Sequence, residues 1–295
     1  MKYDIVHELR LTYSAPVWEH HVEMRLTPQE SSHQQVRAAQ IEIDPACQPR
    51  SYRDCFGNRV HYCSLVTPHD HLTVRMRAQV ETALDNPFDY TPVAPARESA
   101  WVAESLRAQP RLWDYVLHRS AATPDLAALA GAAQGLLARK ADHAILDAVM
   151  AGLDWIGEVV AYEPAFTHAP AKLADVLSRG SGGCQDFAHL LISIVRAWGF
   201  PARYVMGYQD PGYAEDDAVD AAQRAHAWAE VLVPGAGWRG IDPTTRLIAN
   251  QTYIAVAVGR DASDAAPIRA VFKGGGNELE AGGEAAVTLE VTRDQ

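Results

Sequence analysis

Hydrophobic and polar residues alternate through most of the first 90 residues, which is the pattern of β-strands that bury one face. The alternation runs through YDIVHELRLTYS, HHVEMRLTP, QVRAAQIEID and HLTVRMRAQVET, and turn-forming residues such as Pro16 follow these runs. In CFGNRVHYCSLV, Gly57 and Asn58 predict a hairpin turn between two strand-like segments. About six short strands at this spacing predict an antiparallel β-sandwich.

The hydrophobic period changes after a proline-rich connector at residues 86–99. From there to about residue 160 the chain is rich in Ala and Leu at helical spacing, which predicts two or three helices. Residues 171–177 predict another short helix, and CQDFAHLLISIVRAWGF predicts a buried one. ARYVMGYQ, HAWAEVLVP and WRGIDPT then predict strands, and the tail through AAVTLEVTRDQ predicts a loop and a terminal hairpin.

Composition excludes several classes of function. The chain has 295 residues, 48% of them hydrophobic, which is enough for two domains with a sizeable core. A net charge of −11 argues against a general nucleic-acid binder. No apolar run reaches the length of a signal peptide or a membrane-spanning helix, so no membrane partner is expected. Four cysteines without a CxxC pair fit neither a disulfide framework nor a structural zinc site, and they favour a reduced, cytoplasmic location.

Two glycines, Gly182 and Gly183, lead into Cys184, which begins the predicted buried helix. Free N–H groups and the helix dipole stabilise a thiolate at such a position, and glycines allow the backbone to approach a substrate closely. Asp186 suits the first turn of the same helix. The residues by themselves leave two alternatives open for the thiol, a small core residue and a nucleophile.

A nucleophilic thiol needs a base, and the base needs an orienting group. In a strand, His226, Trp228 and Glu230 share one face, and the small apolar residues between them share the other. Asp242 ends the next strand after a tight turn, so antiparallel pairing can bring its carboxylate to the imidazole. The order predicts a thiol–imidazole–carboxylate arrangement of Cys184, His226 and Asp242.

These segments resemble the catalytic core of the bacterial transglutaminase-like superfamily, a circularly related cousin of papain-like folds. The matching motifs are GGCQDFAHLL, GFPARYVMGY, HAWAEV and GWRGIDPT, in that order. The β-rich N-terminal part, including DCFGNRV, resembles the N-terminal region of the same bacterial proteins, and VAVGRDASDAAPIRAVFKGGG resembles their C-terminal segment.

The resemblance implies an α+β fold with two domains. A β-sandwich domain occupies residues 1–90, and a transglutaminase-like catalytic domain, in which the cysteine helix packs on an antiparallel sheet, occupies residues 91–295. Within the catalytic domain we expect a helical part at about residues 100–160 and the core at about residues 161–272.

The resemblance also implies roles for the site residues. Cys184 is the nucleophile, His226 is the general base and acid, and Asp242 orients the imidazole. The backbone N–H of Cys184 is the expected first donor to the oxyanion. Tyr162 is the expected second donor, with Trp155 as the alternative.

Other features carry weaker expectations. Trp228 and Tyr208 are expected to line the substrate cleft. A run of acidic residues lacks the ligand spacing and central glycine of a calcium-binding loop, so we predict no metal site and no cofactor: Asp210, Glu215, Asp216, Asp217 and Asp220. The expected partner is a protein or peptide substrate, and nothing in the sequence indicates an oligomeric state.

A triad of this kind transfers acyl groups through a thioester. Attack on the thioester by water makes a protease or amidase, and attack by an amine makes a transglutaminase. The bacterial branch is regarded as cysteine-protease-like and no amine-binding site is recognisable, so hydrolysis is expected and transamidation is the alternative. The second alternative is a non-catalytic binding module of the same fold, against which the intact Cys–His–Asp set argues.

Overall fold

The computed structural model describes residues 1–126, 139, 142–163, 170–210, 212, 225–274 and 284–293. Most of the acidic run, together with part of the predicted helical stretch, lies outside the described residues: Glu215, Asp216, Asp217, Asp220 and residues 127–138. Among the helices of the described part, none is long and apolar enough to cross a bilayer.

The N-terminal part folds as an antiparallel sheet in the order β2-β5-β1-β4-β3. Its strands are β1 Lys2–Met24, β2 Gln34–Asp44, β3 Arg50–Arg53, β4 Arg59–Leu65 and β5 His69–Thr82. Buried and exposed side chains alternate along β5 as the sequence pattern predicts. The predicted hairpin is confirmed, because Arg53 pairs with Arg59 across a turn in which Gly57 has a φ of 89°.

The first two predicted strands form a single strand. β1 continues through Pro16, where the sequence pattern predicted a turn. Among the described strands none pairs in register with residues 13–16, so Pro16 is not required to donate a ladder hydrogen bond. The first half of β1 pairs with β5 and the second half with β4. The predicted sandwich is therefore one curled sheet, in which β1 contributes to both halves.

The tail does not form the predicted terminal hairpin. β13 Ile268–Gly274 pairs with the second half of β1, and β14 Glu284–Arg293 pairs with its first half. Each tail strand covers an edge of β1 that would otherwise expose unpaired N–H and C=O groups. These two strands, which fall within the catalytic domain predicted at residues 91–295, pair with β1 of the N-terminal sheet. The boundary at residue 90 stays a prediction.

Helices follow the connector. They are α1 Pro95–Ala108, a 3-10 turn Pro110–Trp113, α2 Asp114–Leu117, α3 Ile145–Val159, α4 Leu173–Arg179 and α5 Cys184–Ala197. α4 and α5 are the predicted short helix and the predicted cysteine helix. α5 is buried from Phe187 to Arg196 and contacts α3 and the second sheet.

The second sheet is antiparallel in the order β11-β10-β9-β8-β12. Its strands are β8 Ala202–Gln209, β9 Ala225–Val233, β10 Gly237–Asp242, β11 Leu247–Ile248 and β12 Tyr253–Gly259, and a short parallel pair lies apart from it, β6 Ala161–Tyr162 and β7 Ser181–Gly182. The small residues Ala227, Ala229 and Val231 on β9 are buried in the core that α5 shares. The α+β class, with the cysteine helix on an antiparallel sheet, is confirmed.

The two sheets meet along the edge strand β12. The side-chain amide of Gln34 donates to the carbonyl of Ala255 at 2.7 Å and accepts from its N–H at 2.9 Å. Asn58 makes the same pair of bonds with Val258, both at 2.8 Å. Gln34 and Asn58 are buried, so their amides satisfy edge groups of β12 in place of another strand.

Candidate active site

Cys184 is the first residue of α5, and its side chain is half-buried. Gly183 is the N-cap, and its N–H donates to the Asp186 carboxylate at 3.0 Å. A Cβ at Gly182 would lie 2.8 Å from the same carboxylate oxygen, which accounts for the glycine. Asp186 therefore holds the turn that presents Cys184 at the positive end of the helix.

His226 lies near the start of β9, and Asp242 ends β10. Ala229 and Ile241 pair in register, which sets His226 and Asp242 diagonally across the two strands. The Nε2–H of His226 donates to Oδ2 of Asp242 at 2.7 Å. Since Nε2 faces the carboxylate, Nδ1 is the ring nitrogen available to Cys184, whose side chain lies close enough to help raise the pKa of the imidazole.

Both members of this pair are buried, with 0% of Asp242 and 8% of His226 exposed. Burial disfavours the charged imidazole, but the Asp242 carboxylate and the contact with Cys184 outweigh it and raise the pKa of His226 to about 10. Burial also opposes ionisation of Asp242, but the charge of His226 and the hydrogen bonds that Asp242 accepts hold its pKa below the ordinary value of an aspartate. Both shifts favour the imidazolium–carboxylate form of the pair.

The structure shows two further hydrogen bonds to Asp242 that the sequence did not predict. Oδ1 accepts the N–H of Thr244 at 2.9 Å, and Oδ2 accepts a second hydrogen bond from the hydroxyl of Tyr253 at 2.8 Å. The Thr244 contact is an Asx turn, which the local sequence Asp-Pro-Thr favours. The Tyr253 contact comes from β12 and has no signal in the sequence pattern.

Trp228 packs beside His226 on the predicted shared face, with 6.2 Å between the ring centroids. A Cβ at Gly207 or Gly240, in the neighbouring strands, would lie 2.5 or 3.0 Å from the indole, so these glycines leave the space that Trp228 fills. Trp228 is 2% exposed, and it borders a cavity of about 280 Å³ that also reaches the Glu230 side chain. Its role in a substrate cleft stays a prediction.

Tyr162 lies opposite Gly182 in the parallel pair of β6 and β7. Its ring meets Phe187 edge-on at 5.8 Å between centroids, and 46% of the residue is exposed. Burial, with the nearby side chains of Cys184 and Asp242, raises the pKa of Tyr162 to about 12, so its hydroxyl keeps its proton. Its role as the second oxyanion donor stays a prediction, as does the alternative role of Trp155 on α3.

The expected role of Tyr208 in lining the substrate cleft stays a prediction. Its side chain is completely buried, and its hydroxyl lies 2.7 Å from Nδ1 of His7 in β1. This hydrogen bond joins the two sheets. The pattern of ARYVMGYQ could not indicate it, because the partner lies 201 residues away in the chain.

A cavity of about 720 Å³ lies along β11 and borders the candidate site. Leu247, which pairs with Asp242 in register, lines it together with Tyr253, Phe88 and Met150. Phe88, Met150 and Leu247 are exposed, which gives the cavity an apolar rim. Its size and lining are typical of cavities that bind organic ligands.

The acidic run offers one described residue, Asp210. It accepts the hydroxyl of Tyr3 at 2.9 Å and the N–H of Gly212 at 2.8 Å, and it pairs with Arg293. Within the described ranges, no group of three or more His, Cys, Asp or Glu side chains is placed to hold a metal ion.

Comparison with known families gives two matches along the chain. Residues 3–81 match the family described as the bacterial transglutaminase-like N-terminal region. Residues 131–243 match the transglutaminase-like superfamily and include Cys184, His226 and Asp242.

Similar proteins occur in bacteria. An uncharacterised protein of Mycobacterium leprae is 32% identical over 293 residues, which cover 98% of each chain. A protein-glutamine gamma-glutamyltransferase of Pseudomonas aeruginosa is 39% identical over 66 residues, which cover 22% of this chain and 10% of that protein. The crystal structure of a candidate cysteine protease from Cytophaga hutchinsonii covers 99% of this chain and 89% of its own, with a TM-score of 0.68 and 22% identity.

Proposed function

The chain belongs to the transglutaminase-like superfamily, and on this premise we propose that it is a cysteine-dependent acyl-transfer enzyme that hydrolyses peptide or carboxamide bonds. One observation carries the proposal. A buried imidazole, hydrogen-bonded to a buried carboxylate at 2.7 Å, also contacts a thiol at the N-terminus of a helix. Nucleophile, base and orienting group are thus within reach of one another.

In the proposed reaction Cys184 attacks the carbonyl carbon and the C–N bond breaks. The His226 imidazolium protonates the departing amine, and the acyl group remains on sulfur as a thioester. The negative oxygen that forms during attack is stabilised by the N–H of Cys184 and, as a second donor, by the Tyr162 hydroxyl. Water then attacks the thioester while His226 takes its proton, the C–S bond breaks, and release of the acid restores the sulfur as a thiolate beside the imidazolium.

The ion pair suits this sequence of proton transfers. An imidazolium can protonate a poor leaving group such as an amine, and the Asp242 carboxylate stabilises the charge that the ring carries. The raised pKa of His226, about 10, keeps the acid form present at neutral pH. Both properties depend on the exclusion of water from Asp242, which is completely buried.

Water rather than an amine is the proposed acceptor. A thioester in an open cleft meets water at roughly 55 M, so transamidation requires a dry channel that selects amines. Trp228 and Trp238 are the residues that would wall such a channel. Trp228 is buried, and Trp238 stacks on the guanidinium of Arg203 at 4.3 Å, so both are engaged in packing contacts.

Protein or peptide substrates are part of the proposal. The cavity of about 720 Å³, which Tyr253 and Leu247 line, has the volume to receive side chains that flank the reacting carbonyl. A cytoplasmic location is also proposed, and four free cysteines support it: Cys47, Cys55, Cys63 and Cys184.

Transamidation is the second candidate. It is favoured by the similarity of a 66-residue segment to the Pseudomonas aeruginosa protein-glutamine gamma-glutamyltransferase. The thioester would then be attacked by a primary amine, and the triad would keep the same roles.

One assay distinguishes the two outcomes. A glutamine-containing peptide is offered together with a fluorescent primary amine, once with calcium and once with EDTA. We expect free acid as the main product in both conditions, and none from the Cys184→Ala variant. Cys55→Ala, which removes an exposed thiol elsewhere, serves as the matched control and keeps full activity.

Each other outcome has a defined meaning. Dominant, calcium-dependent incorporation of the amine would replace hydrolysis by transamidation. Turnover that persists in Cys184→Ala would reject the cysteine mechanism. Loss of activity in both variants would point to damage to the fold rather than to chemistry.

A further inference from the structure

Oδ2 of Asp242 accepts two hydrogen bonds, and the second donor lies outside the predicted triad. His226 donates at 2.7 Å and the hydroxyl of Tyr253 at 2.8 Å. The same hydroxyl lies 3.1 Å from Nε2 of Gln209, which donates to it, and 3.2 Å from Oγ1 of Thr245. Hydrogen bonds in such a network polarise one another. The bond that the Tyr253 hydroxyl donates to Asp242 is therefore strengthened by the bond that it accepts from Gln209.

Tyr253 is held rigidly at this position. It is 6% exposed, and its ring meets Trp228 edge-on with 5.3 Å between centroids. It begins β12, whose edge is fixed to the N-terminal sheet by the amides of Gln34 and Asn58. The hydroxyl therefore reaches Asp242 from a strand that the other sheet holds in place.

We propose that Tyr253 is a positioning residue for acyl transfer, whose hydroxyl keeps Asp242 ionised and turned toward His226. The inference rests on the proposed function, because it assigns the orienting carboxylate a support. It also gives the N-terminal sheet a part in the chemistry, since that sheet anchors the strand that carries Tyr253.

The physical reason lies in the burial of the carboxylate. With none of its surface exposed, Asp242 has no water to stabilise its charge and depends on protein donors. The hydrogen bond from Tyr253 lowers the pKa of Asp242, so its removal must raise that pKa. A protonated Asp242 no longer carries the negative charge that stabilises the imidazolium, and the hydrogen bond from Nε2–H to it is weakened.

The ionisable groups around Asp242 are few. His226 on β9 and Tyr253 on β12 contact it directly, and Tyr162 on β6 and Cys184 on α5 lie close enough to interact with the site by charge. Of these groups, Tyr253 is the one whose hydroxyl can be deleted without removing a proposed participant in acyl transfer.

The test compares Tyr253→Phe with Tyr208→Phe. Each variant deletes one buried hydroxyl and keeps the ring, but the Tyr208 hydroxyl contacts His7 and not Asp242. The readout is the NMR resonance of the Nε2–H of His226 in protein labelled with ¹⁵N-histidine, followed as the pH is lowered. It needs no substrate, so it reports on Tyr253 whether or not the acyl-transfer proposal holds.

In Tyr253→Phe the resonance should be lost about one pH unit higher than in the wild type, a tenfold change in the acid dissociation constant of Asp242. Tyr208→Phe should titrate like the wild type. Turnover of the peptide in Tyr253→Phe should fall through kcat, with KM within about twofold, because the variant keeps the ring that lines the cavity and loses only the hydroxyl that contacts Asp242.

An unchanged or downward pH shift in Tyr253→Phe would overturn the proposal, as would an equal shift in both variants. Should Tyr253→Phe not fold, Gln209→Met decides, since it weakens the Tyr253 donor and predicts a smaller upward shift. If Tyr253→Phe shows the expected upward pH shift but the wild type turns over no peptide, the proposed function is rejected and the role of Tyr253 in supporting Asp242 is kept.

Discussion

Cys184 differs from the other cysteines in what surrounds it. Burial and a hydrogen bond with Cys47 raise the pKa of Cys63 to about 12, which makes Cys63 unreactive. Cys55 is exposed, and Cys184 is half-buried and contacts the imidazole of His226. Exposure alone therefore predicts that Cys55 reacts first, whereas chemical environment predicts that Cys184 does.

We expect Cys184 to react first when the native protein meets limiting iodoacetamide at about pH 6. Cys184 lies at a helix N-terminus and beside the imidazole of His226, and both can stabilise negative charge on an attacking sulfur. Peptide mapping by mass spectrometry measures the order of labelling. His226→Gln should abolish the preference for Cys184, and faster labelling of Cys55 in the wild type would contradict the prediction.

Asp242→Asn should lower turnover by ~10³-fold, because an amide cannot stabilise the imidazolium and can hold the wrong ring tautomer. The thermal midpoint should fall by only a few degrees, since the amide has nearly the same shape. Glu230→Gln, a carboxylate on the same sheet that pairs with Arg203, is the matched control and should keep its turnover within a few fold. Retention of more than a tenth of wild-type turnover in Asp242→Asn would exclude Asp242 from the triad.

At the scale of elements, β12 is the connection between the two sheets. It is an edge strand, and edge strands present N–H and C=O groups that need partners. Side-chain amides meet this need: Gln34 bonds Ala255 and Asn58 bonds Val258. Asn58, at the end of a predicted hairpin turn, thus anchors the docking of one sheet on the other.

Asn58→Ala should destabilise the protein by about 2–4 kcal/mol, because it leaves the buried N–H and C=O of Val258 without their partner. Asn86→Ala is the matched control. Asn86 is exposed and accepts only a local bond from Phe88, so its loss should cost less than about 1 kcal/mol. Urea unfolding measures the loss of stability in each variant. Equal losses would show that the Asn58 contacts contribute no more to stability than the local bond of Asn86.

At the scale of the whole molecule, the two predicted domains are closely joined. The tail strands β13 and β14 extend the N-terminal sheet on either half of β1. The connector packs on the second sheet, where Arg239 donates to the carbonyl of Pro87 at 2.9 Å and stacks on Tyr90 at 5.5 Å. Buried histidines also lie in both parts, His7 and His20 on β1 and His189 on α5.

These three histidines predict acid sensitivity. Burial lowers the pKa of each to about 4, whereas the unfolded chain has a histidine pKa near 6.5. Because the folded state stays neutral while the unfolded chain takes up protons, the stability present above pH ~6.5 is lost as the pH falls toward 4. The loss is on the order of 1 kcal/mol per pH unit for each histidine.

Urea unfolding at pH 7, 6 and 5 measures this dependence. The wild type should lose stability at each step, and His20→Phe, which removes one of the three groups, should lose it less steeply. His33→Ala changes an exposed histidine and should follow the wild type. If the free energy of unfolding falls equally steeply with pH in His20→Phe and in the wild type, His20 does not contribute to the acid sensitivity.

The sequence by itself determined the parts of this protein that depend on neighbours along the chain. Alternation predicted the buried face of β5, helical spacing predicted α5, and the strand–turn–strand pattern set His226 close to Asp242. These are local effects, since the side-chain period of a strand or helix follows from backbone geometry alone.

Only the tertiary structure decided the contacts between distant segments. Pro16 predicted a turn but lies within a continuous strand. The strand tolerates this proline because residues 13–16 lack a register partner among the described strands, so no ladder hydrogen bond is lost. Tyr208 and Tyr253 look alike in strand patterns, yet one meets His7 and the other Asp242. The partner of the Tyr208 hydroxyl depends on how β1 packs on the second sheet, and the partner of the Tyr253 hydroxyl depends on the place that β12 takes within that sheet, at its edge beside β8. Neither arrangement has a period that a sequence can show.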